Sequence, residues 1–455
     1  MSLLSHLRPY RMPIILIAVT IAVYAVTGGF QLLTWDDSYY LATNETVRGI
    51  TSEHLHQAFT DYFVGNYAPV HILSYMLDYS LWGYGPTGYH LENVLLHAIC
   101  GVLFYYLLRR LNLGELQAGA AAWIFLFHPV QVETVAWVAQ RKSLLSMIFF
   151  LTAFHAYIAY SDRNRQWTLP YLLSLISLAI AELSKSIAVV FPVTIVLYDI
   201  TLADDARSMK RKNIDKLPFI LLTAGVAFLA IVSQSVEAGG GRRGYPGGSP
   251  LATFYTMVPV LVTYLQDCVW PFNLSPYYMT WIRQTTDITF FFSLCILIVV
   301  AFIGFWLYKR SRRTFFWYGL FFIGLVPVMQ IVPIITLKND RYLYFPLLGF
   351  SVLAVIGISR LQARLQAGWL RFLRIAVVAV LLALPILAWK QTTYWRDDIT
   401  LWSRAVEIDP ENRLGWLHLA KAYTTKGDGP KALEALDHYQ TLRNKYGPVR
   451  GFEKE

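Results

Sequence analysis

The chain has 455 residues, 56% of them apolar and only 15% charged, against roughly 25% charged in a typical soluble protein. With a mean hydropathy of +0.43, it has more apolar surface than soluble domains could cover, whereas a bilayer solvates such surface directly. The net charge of +10 sits in short basic clusters between apolar runs, which is a topology signal rather than a nucleic-acid surface, so no nucleic-acid partner is expected. Cys100, Cys268 and Cys295 all lie in apolar stretches, with no CxxC and no His/Cys ligand spacing, which excludes a disulfide framework and a zinc site.

Apolar runs fall at about 13–33, 90–108, 116–138, 143–160, 168–183, 187–203, 217–234, 252–270, 288–308, 314–335, 342–359 and 375–391, most near the ~20 residues that cross a bilayer. Basic clusters occur at Arg8/Arg11, Arg109/Arg110, Arg163/Arg165, Lys210-Arg211-Lys212, Lys309-Arg310/Arg312-Arg313 and Arg360/Arg364/Arg371/Arg374. If each is cytoplasmic, an even number of crossings must separate neighbours. Only the interval from Lys212 to Lys309 breaks this rule. Within it, 252–270 carries Pro259, Gln266 and Asp267, ends in Trp270-Pro271 and follows Gly239–Gly241, so it is expected to be re-entrant or to lie on the outer interface. The expectation is an all-α integral membrane protein of about eleven transmembrane helices, with its N-terminus in the cytoplasm and its C-terminal module outside.

The first external loop, 34–89, opens on Thr34-Trp35-Asp36-Asp37. Adjacent carboxylates beside lipid are costly to hold and call for a cation, a hydrogen-bond donor or a substrate. Asp36 or Asp37 suits a general base towards a hydroxyl, or a ligand for Mg²⁺ or Mn²⁺; two solvated interfacial acids or an N-cap is the plain alternative. Glu92, Asn93 and His97, with His90 before them, stand at the outer end of the second span, where Asn93 and His97 share a helix face. Such residues point into a bundle as functional groups or as helix-pairing contacts. The few basic residues expected outside are Arg141, Lys142, Lys185, Arg242, Arg243, Arg283, Lys338 and Arg341. Phosphate at the lipid surface suits an arginine fork. Snorkelling to head groups accounts for any one of these cations, though not for several converging.

After the last run, Trp402, Ala405 and Pro410 are followed by Trp416, Leu419, Ala420, Tyr423, Gly427, Ala432 and Leu436. This matches one 34-residue tetratricopeptide repeat and part of another. Because about three repeats are needed for an independent solenoid, the module is expected to dock on the membrane domain or on a partner; a generic amphipathic hairpin is the plain reading. Expected boundaries are 1–391 for the membrane domain, with 236–287 as an external or re-entrant segment, and 392–455 for the helical module.

Together these residues resemble the GT-C family of polyprenyl-phosphate-sugar-dependent glycosyltransferases, and within it the branch with C-terminal tetratricopeptide repeats, the transmembrane-and-repeat O-mannosyltransferases and their bacterial relatives. The segments that carry the resemblance are Trp35-Asp36-Asp37, Ser74 to Asp78, Gly88 to His97, Phe127-His128-Pro129 through Glu133 to Trp137, Leu183-Ser184-Lys185, Tyr198-Asp199, Asp340-Arg341-Tyr342 through Pro346, and Trp395-Arg396-Asp397. It implies that Asp36 or Asp37 is catalytic or metal-binding. It also implies that the His128-Pro129 segment and Arg341 lie near a lipid-phosphate donor; Lys185, Arg141 and Lys142 are expected to hold the phosphate with Arg341, and His90, Asn93, His97, His128, Glu133 and Tyr342 are further pocket candidates. Ala68 and Ser143 depart from the pattern, at positions where a histidine and an acid are common.

The expected activity is inverting transfer of a sugar from a polyprenyl-phosphate carrier to a protein hydroxyl, a glycan or a lipid on the non-cytoplasmic face, with the repeat offering a route to the acceptor. A membrane-anchored scaffold without catalysis, or a lipid-carrier flippase, is the reading from another class. Short loops and a compact repeat favour a bacterial inner membrane with the repeat in the periplasm, or the endoplasmic reticulum in a eukaryote.

Overall fold

The computed structural model describes residues 10–163, 165, 167–203, 214–234, 244–449 and 452. The expectations placed on Arg8, on 210–212, on 239–241 and on Arg242-Arg243 lie outside these residues. Among the described residues there is no β-strand, only an isolated bridge between Phe63 and Asn66.

Helix α1 (Arg11–Tyr24) runs on through a 3-10 turn, Ala25–Gly29. In the segment 34–89, α2 (Ser52–Thr60) is capped by the Thr51 side chain on the His54 amide, and α3 (Pro69–Trp82) carries Pro69 in its first turn. Helix α4 (Pro86–Arg110) follows, then α5 (Glu115–Phe127). The apolar run 116–138 therefore does not form one rod. His128 precedes Pro129, which disfavours helical backbone, and its ψ of 127° breaks the helix there. The chain then folds through a 3-10 turn, the short α6 (Val132–Ala136) and a second 3-10 turn before entering α7 (Arg141–Asp162). Next come α8 (Leu169–Ser184), α9 (Phe191–Thr201), α10 (Leu217–Ser233), α11 (Pro250–Val269), α12 (Ile288–Arg310), α13 (Arg312–Leu325), α14 (Pro346–Gln362) and α15 (Ala367–Thr393). The run 314–335 likewise ends as a helix at Leu325, just before Pro327, which lacks an amide for a further turn.

Each of the eleven runs expected to cross contains one long helix, and 116–138 adds the short α6. Five helices, Arg11–Gly29, Pro86–Arg110, Val138–Asp162, Ile288–Arg310 and Ala367–Thr393, are long and apolar enough to cross a membrane. Five more, Glu115–Phe127, Leu169–Ser184, Ser186–Thr201, Leu217–Ser233 and Pro346–Gln362, are apolar and shorter. In α12 and α15 only 17% and 11% of the most apolar window is buried, and their outward Phe302, Phe305, Ile375 and Ile386 suit lipid contact. The interior is close-packed: a Cβ added to Gly349 of α14 would collide with the Trp317 carbonyl of α13.

The bundle has two chemically distinct ends. At one, Arg110 meets Asp162 at 2.8 Å, Arg360 donates to Thr314 at 2.7 Å, and Arg165 and Lys216 pair with Asp199 and Asp215 at 2.5–3.1 Å. The other end gathers residues 34–40, 128–142, 185, 267–281 and 338–345. Both ends of α11 lie here. Its C-terminal Asp267 pairs with Lys338 at 2.7 Å, while its Phe254 and Tyr255 pack on Phe290 in the first turn of α12, whose last turn carries Lys309 and Arg310 at the far end.

The tail forms three helices, α16 (Asp398–Ile408), α17 (Arg413–Lys426) and α18 (Gly429–Tyr446). They dock on the membrane body. Arg404 donates to the Phe272 carbonyl at 3.2 Å and Asn412 to the Tyr277 carbonyl at 3.0 Å, and Trp281 lies edge-on to Tyr446.

Removing one partner from a buried ion-pair network strands the opposite charge at a cost of ~3 kcal/mol or more. Asp215→Ala, which removes a carboxylate paired with both Arg165 and Lys216, is expected to lower unfolding stability by about that amount, as measured by denaturation in detergent.

Candidate active site

The loop after the first span turns sharply into a single turn of π-helix, Ser38–Ala42, and the two adjacent carboxylates diverge. Asp37 is buried: one oxygen accepts from the Leu33 amide at 3.0 Å, the other from the Ala139 amide at 2.8 Å. Burial raises its pKa to about 7, against those two hydrogen bonds. Asp37 thus clamps the loop to the turn that precedes α7. Asp36 is half-buried and borders a cavity; burial raises its pKa, while the charges of Lys142 and Arg341 pull it back down.

Above the clamp stands a column of aromatic rings. Trp35 stacks on Trp137 at 4.5 Å, Trp137 faces Trp395 at 5.9 Å, and the Arg341 guanidinium lies 5.4 Å from the Trp137 ring. Arg341 is ion-paired with Glu133, whose second oxygen accepts from the Arg341 amide at 2.9 Å. Burial works against the guanidinium charge, but Glu133 outweighs it and keeps the group cationic. The Lys142 ammonium donates to the Tyr40 hydroxyl at 3.1 Å, and Lys185 donates to Ser143 at 2.7 Å and to Gln140 at 3.3 Å. Burial, then the neighbouring Lys142 and Arg341 charges, push the Lys185 pKa well below its usual value. Ser143 therefore gives Lys185 a neutral partner where an acid would have neutralised it.

Of the residues singled out from the sequence, the fold brings together Asp36, Lys142, Lys185, Arg341, Glu133 and Tyr342, the last lying 5.3 Å beneath the Arg341 guanidinium. Arg141 stands apart. Fully buried, it pairs with Asp78 and Glu92 and donates to Asn93 and the Tyr89 carbonyl, so its donors are spent on joining α3, α4 and α7. Asn93 serves the same scaffold, its amide reaching the Val135 and Trp137 carbonyls at 3.4 and 3.3 Å. His97 bridges Tyr344 and the Leu126 carbonyl, His128 reaches the Cys268 carbonyl at 3.0 Å, and His90 packs edge-on to Phe30; these three histidines do not face the cation cluster. Tyr40 and Gln140 were not foreseen, and Trp402 was read only as a repeat residue. The tyrosine pair one residue beyond Asp36-Asp37 offered a signal for the first of them.

Among the described residues no three His, Cys, Asp or Glu side chains gather as a metal site. The donor set also fits a divalent ion poorly, because both Asp37 oxygens are held by amides and the charges acting on Asp36 are cations.

The tail reaches this site as well. The Asp398 carboxylate accepts from the Thr34 amide at 3.1 Å, the Gln31 amide donates to the Arg396 carbonyl at 3.0 Å, and Trp402 packs on Trp35 at 5.0 Å. A hydrogen bond to a charged group contributes about 1.5–3 kcal/mol. Asp398→Ala is therefore expected to reduce hydrogen-exchange protection of the Thr34 amide on the order of 10- to 100-fold.

A family model described as dolichyl-phosphate-mannose-protein mannosyltransferase matches residues 68–235. Human protein O-mannosyl-transferase TMTC3 is 25% identical over 407 residues, covering 81% of this chain and 44% of the relative. The Caenorhabditis elegans protein O-mannosyl-transferase F38B6.6 is 24% identical over 440 residues, covering 91% of this chain and 60% of the relative. Among solved structures, ArnT from Cupriavidus metallidurans bound to undecaprenyl phosphate aligns with a TM-score of 0.44 and 16% identity over 94% of this chain and 75% of that one. The chain spans about half the length of the curated relatives it matches. Over most of its own length, this chain resembles the protein O-mannosyl-transferases.

Proposed function

We propose that the protein is a membrane glycosyltransferase that moves a sugar from a polyprenyl-phosphate carrier to a protein hydroxyl on the non-cytoplasmic face, within a topology of eleven crossings that leaves the Arg110, Arg165 and Arg360 end in the cytoplasm. The observation that carries this reading is the charge balance around Asp36. Lys142, Lys185 and Arg341 act on one another and on Asp36; of the other carboxylates, Glu133 pairs with Arg341 and both Asp37 oxygens are held by backbone amides, which suits the cluster to the charge of a sugar-linked phosphodiester. Among the described residues neither Lys142 nor Lys185 is ion-paired, and a bound phosphate would relieve their mutual repulsion.

Chemically, the acceptor oxygen attacks the anomeric carbon and passes its proton to the Asp36 carboxylate. The carbon–oxygen bond to phosphate breaks with its electron pair staying on the phosphate oxygen, on the opposite face of the ring, so the anomeric configuration inverts. The leaving polyprenyl phosphate gains a second negative charge, and Lys142, Lys185 and Arg341 are placed to stabilise it as it forms. Asp37 holds the loop and takes no proton in this scheme, and no step is routed through a metal. The module at 392–455 is read as a tetratricopeptide-like element that presents the acceptor.

General-base removal costs about 10²- to 10⁴-fold, and Asp36→Asn is expected to lower transfer from a labelled polyprenyl-phosphate sugar by that factor without unfolding the protein. Activity of this variant within tenfold of the parent would remove Asp36 from its role.

The pH profile follows from the sign of the shift. Burial raises the Asp36 pKa, so the acid limb of kcat/KM should lie above the ordinary carboxylate value of about 4. Lys142 opposes that rise. Lys142→Met should therefore move the limb to still higher pH while also weakening donor binding.

A further inference from the structure

The end of the bundle opposite the candidate site carries a charge pattern that sugar transfer does not use. The last turn of α12 and the first turn of α13 bear Lys309, Arg310, Arg312 and Arg313. The end of α14, the turn after it and the start of α15 bear Arg360, Arg364, Arg371 and Arg374. All eight are exposed. Arg360 joins the two groups, donating to the Ser311 hydroxyl at 3.3 Å and to the Thr314 hydroxyl at 2.7 Å.

Orientation in a membrane asks only that cations lie at this end. Others there are neutralised, Arg110 by Asp162, and Arg165 with Lys216 by Asp199 and Asp215. The eight are not. From Ile288 to Arg396 the sequence holds a single acid, Asp340, and that residue lies at the opposite end, bonded to Tyr278. None of the eight has an ion-pair partner among the described residues. Arg312 and Arg313 also occupy the first turn of α13, where the helix dipole works against a cation. So much like charge repels itself unless anions come to it.

The surroundings say which anions these are. Of the five long apolar helices, α12 and α15 are the least buried, so the cations stand at the ends of the helices that face lipid most fully. Exposed Trp306, Tyr308, Trp369 and Phe372 lie among them, and such rings settle at head-group depth. A soluble polyanion would have no use for the rings.

We infer that this strip binds membrane lipids of net negative charge, with their phosphates on the arginine forks and their acyl chains along α12 and α15. A zwitterionic lipid fits less well, because its ammonium group cancels the phosphate and meets the same cations. Binding here is independent of the transfer chemistry at the other end.

The full chain in neutral detergent is titrated with phosphatidylglycerol, with phosphatidylcholine and with the soluble head group glycerophosphoglycerol, and bound lipid is counted by native mass spectrometry. A cation near an anionic surface contributes about fivefold in affinity, so phosphatidylglycerol should be retained over phosphatidylcholine by about tenfold or more. The preference should shrink at high salt, and the soluble head group should not compete. Arg310, Arg313, Arg371 and Arg374 make no side-chain hydrogen bond among the described residues, so replacing them leaves internal contacts intact. Arg310→Gln with Arg313→Gln, and Arg371→Gln with Arg374→Gln, should each lower phosphatidylglycerol retention by about 5- to 25-fold. Lysine at the same positions keeps the charge and should restore most of it. Arg110→Gln, which removes a cation already paired with Asp162, should leave the preference unchanged. Equal retention of the two lipids, competition by the soluble head group or by RNA at matched concentration, or a full preference in both glutamine pairs would overturn the inference.

Discussion

The geometry of the site depends on one carboxylate that takes no part in the proposed chemistry. Asp37 accepts hydrogen bonds from two backbone amides, one four residues before it and one on the turn leading into α7. Those bonds pull the loop down onto the 137–142 segment and fix the direction of its neighbour. Adjacent side chains cannot share a direction here, so satisfying Asp37 inside the protein turns Asp36 towards the cavity. Without the clamp, the two acids would compete for the same cations and neither would have a defined orientation.

Around that clamp the protein maintains an electrostatic imbalance. Elsewhere the buried arginines of the bundle are matched: Arg141 by Asp78 and Glu92, Arg165, with Lys216, by Asp199 and Asp215. Burying charge is costly unless it is paired. At the active end, Lys142 and Lys185 have only neutral hydrogen-bond partners, Tyr40, Gln140 and Ser143. That local departure from pairing is what suits the site to an anion arriving from outside the protein.

The C-terminal helices belong to the same unit. Asp398 holds the Thr34 amide and Trp402 closes the outer side of the tryptophan column, so the module touches the residues immediately before Asp36. The cavity beside Asp36 lies between the loop and helices α17 and α18. The 34–40 loop and the C-terminal helices are coupled by contact, not by a flexible tether.

Much of this was legible in the chain alone. A bilayer rewards runs of apolar side chains and orients them through flanking cations; both signals are local in sequence, and so the apolar helices could be read directly, whereas the breaks at His128-Pro129 and before Pro327 were not. The same reasoning pointed to the acids after the first span and to the scarce external cations. What it left open was which side chains are satisfied internally. Asp36 and Asp37 are chemically identical, and an amide 102 residues away, together with the Leu33 amide, distinguishes them. Arg141 and Lys142 are adjacent, yet α3 and α4 consume the first and leave the second. Hydropathy and charge order are written along the chain. Hydrogen-bond satisfaction is decided between segments distant in sequence, and the tertiary structure alone brings those together.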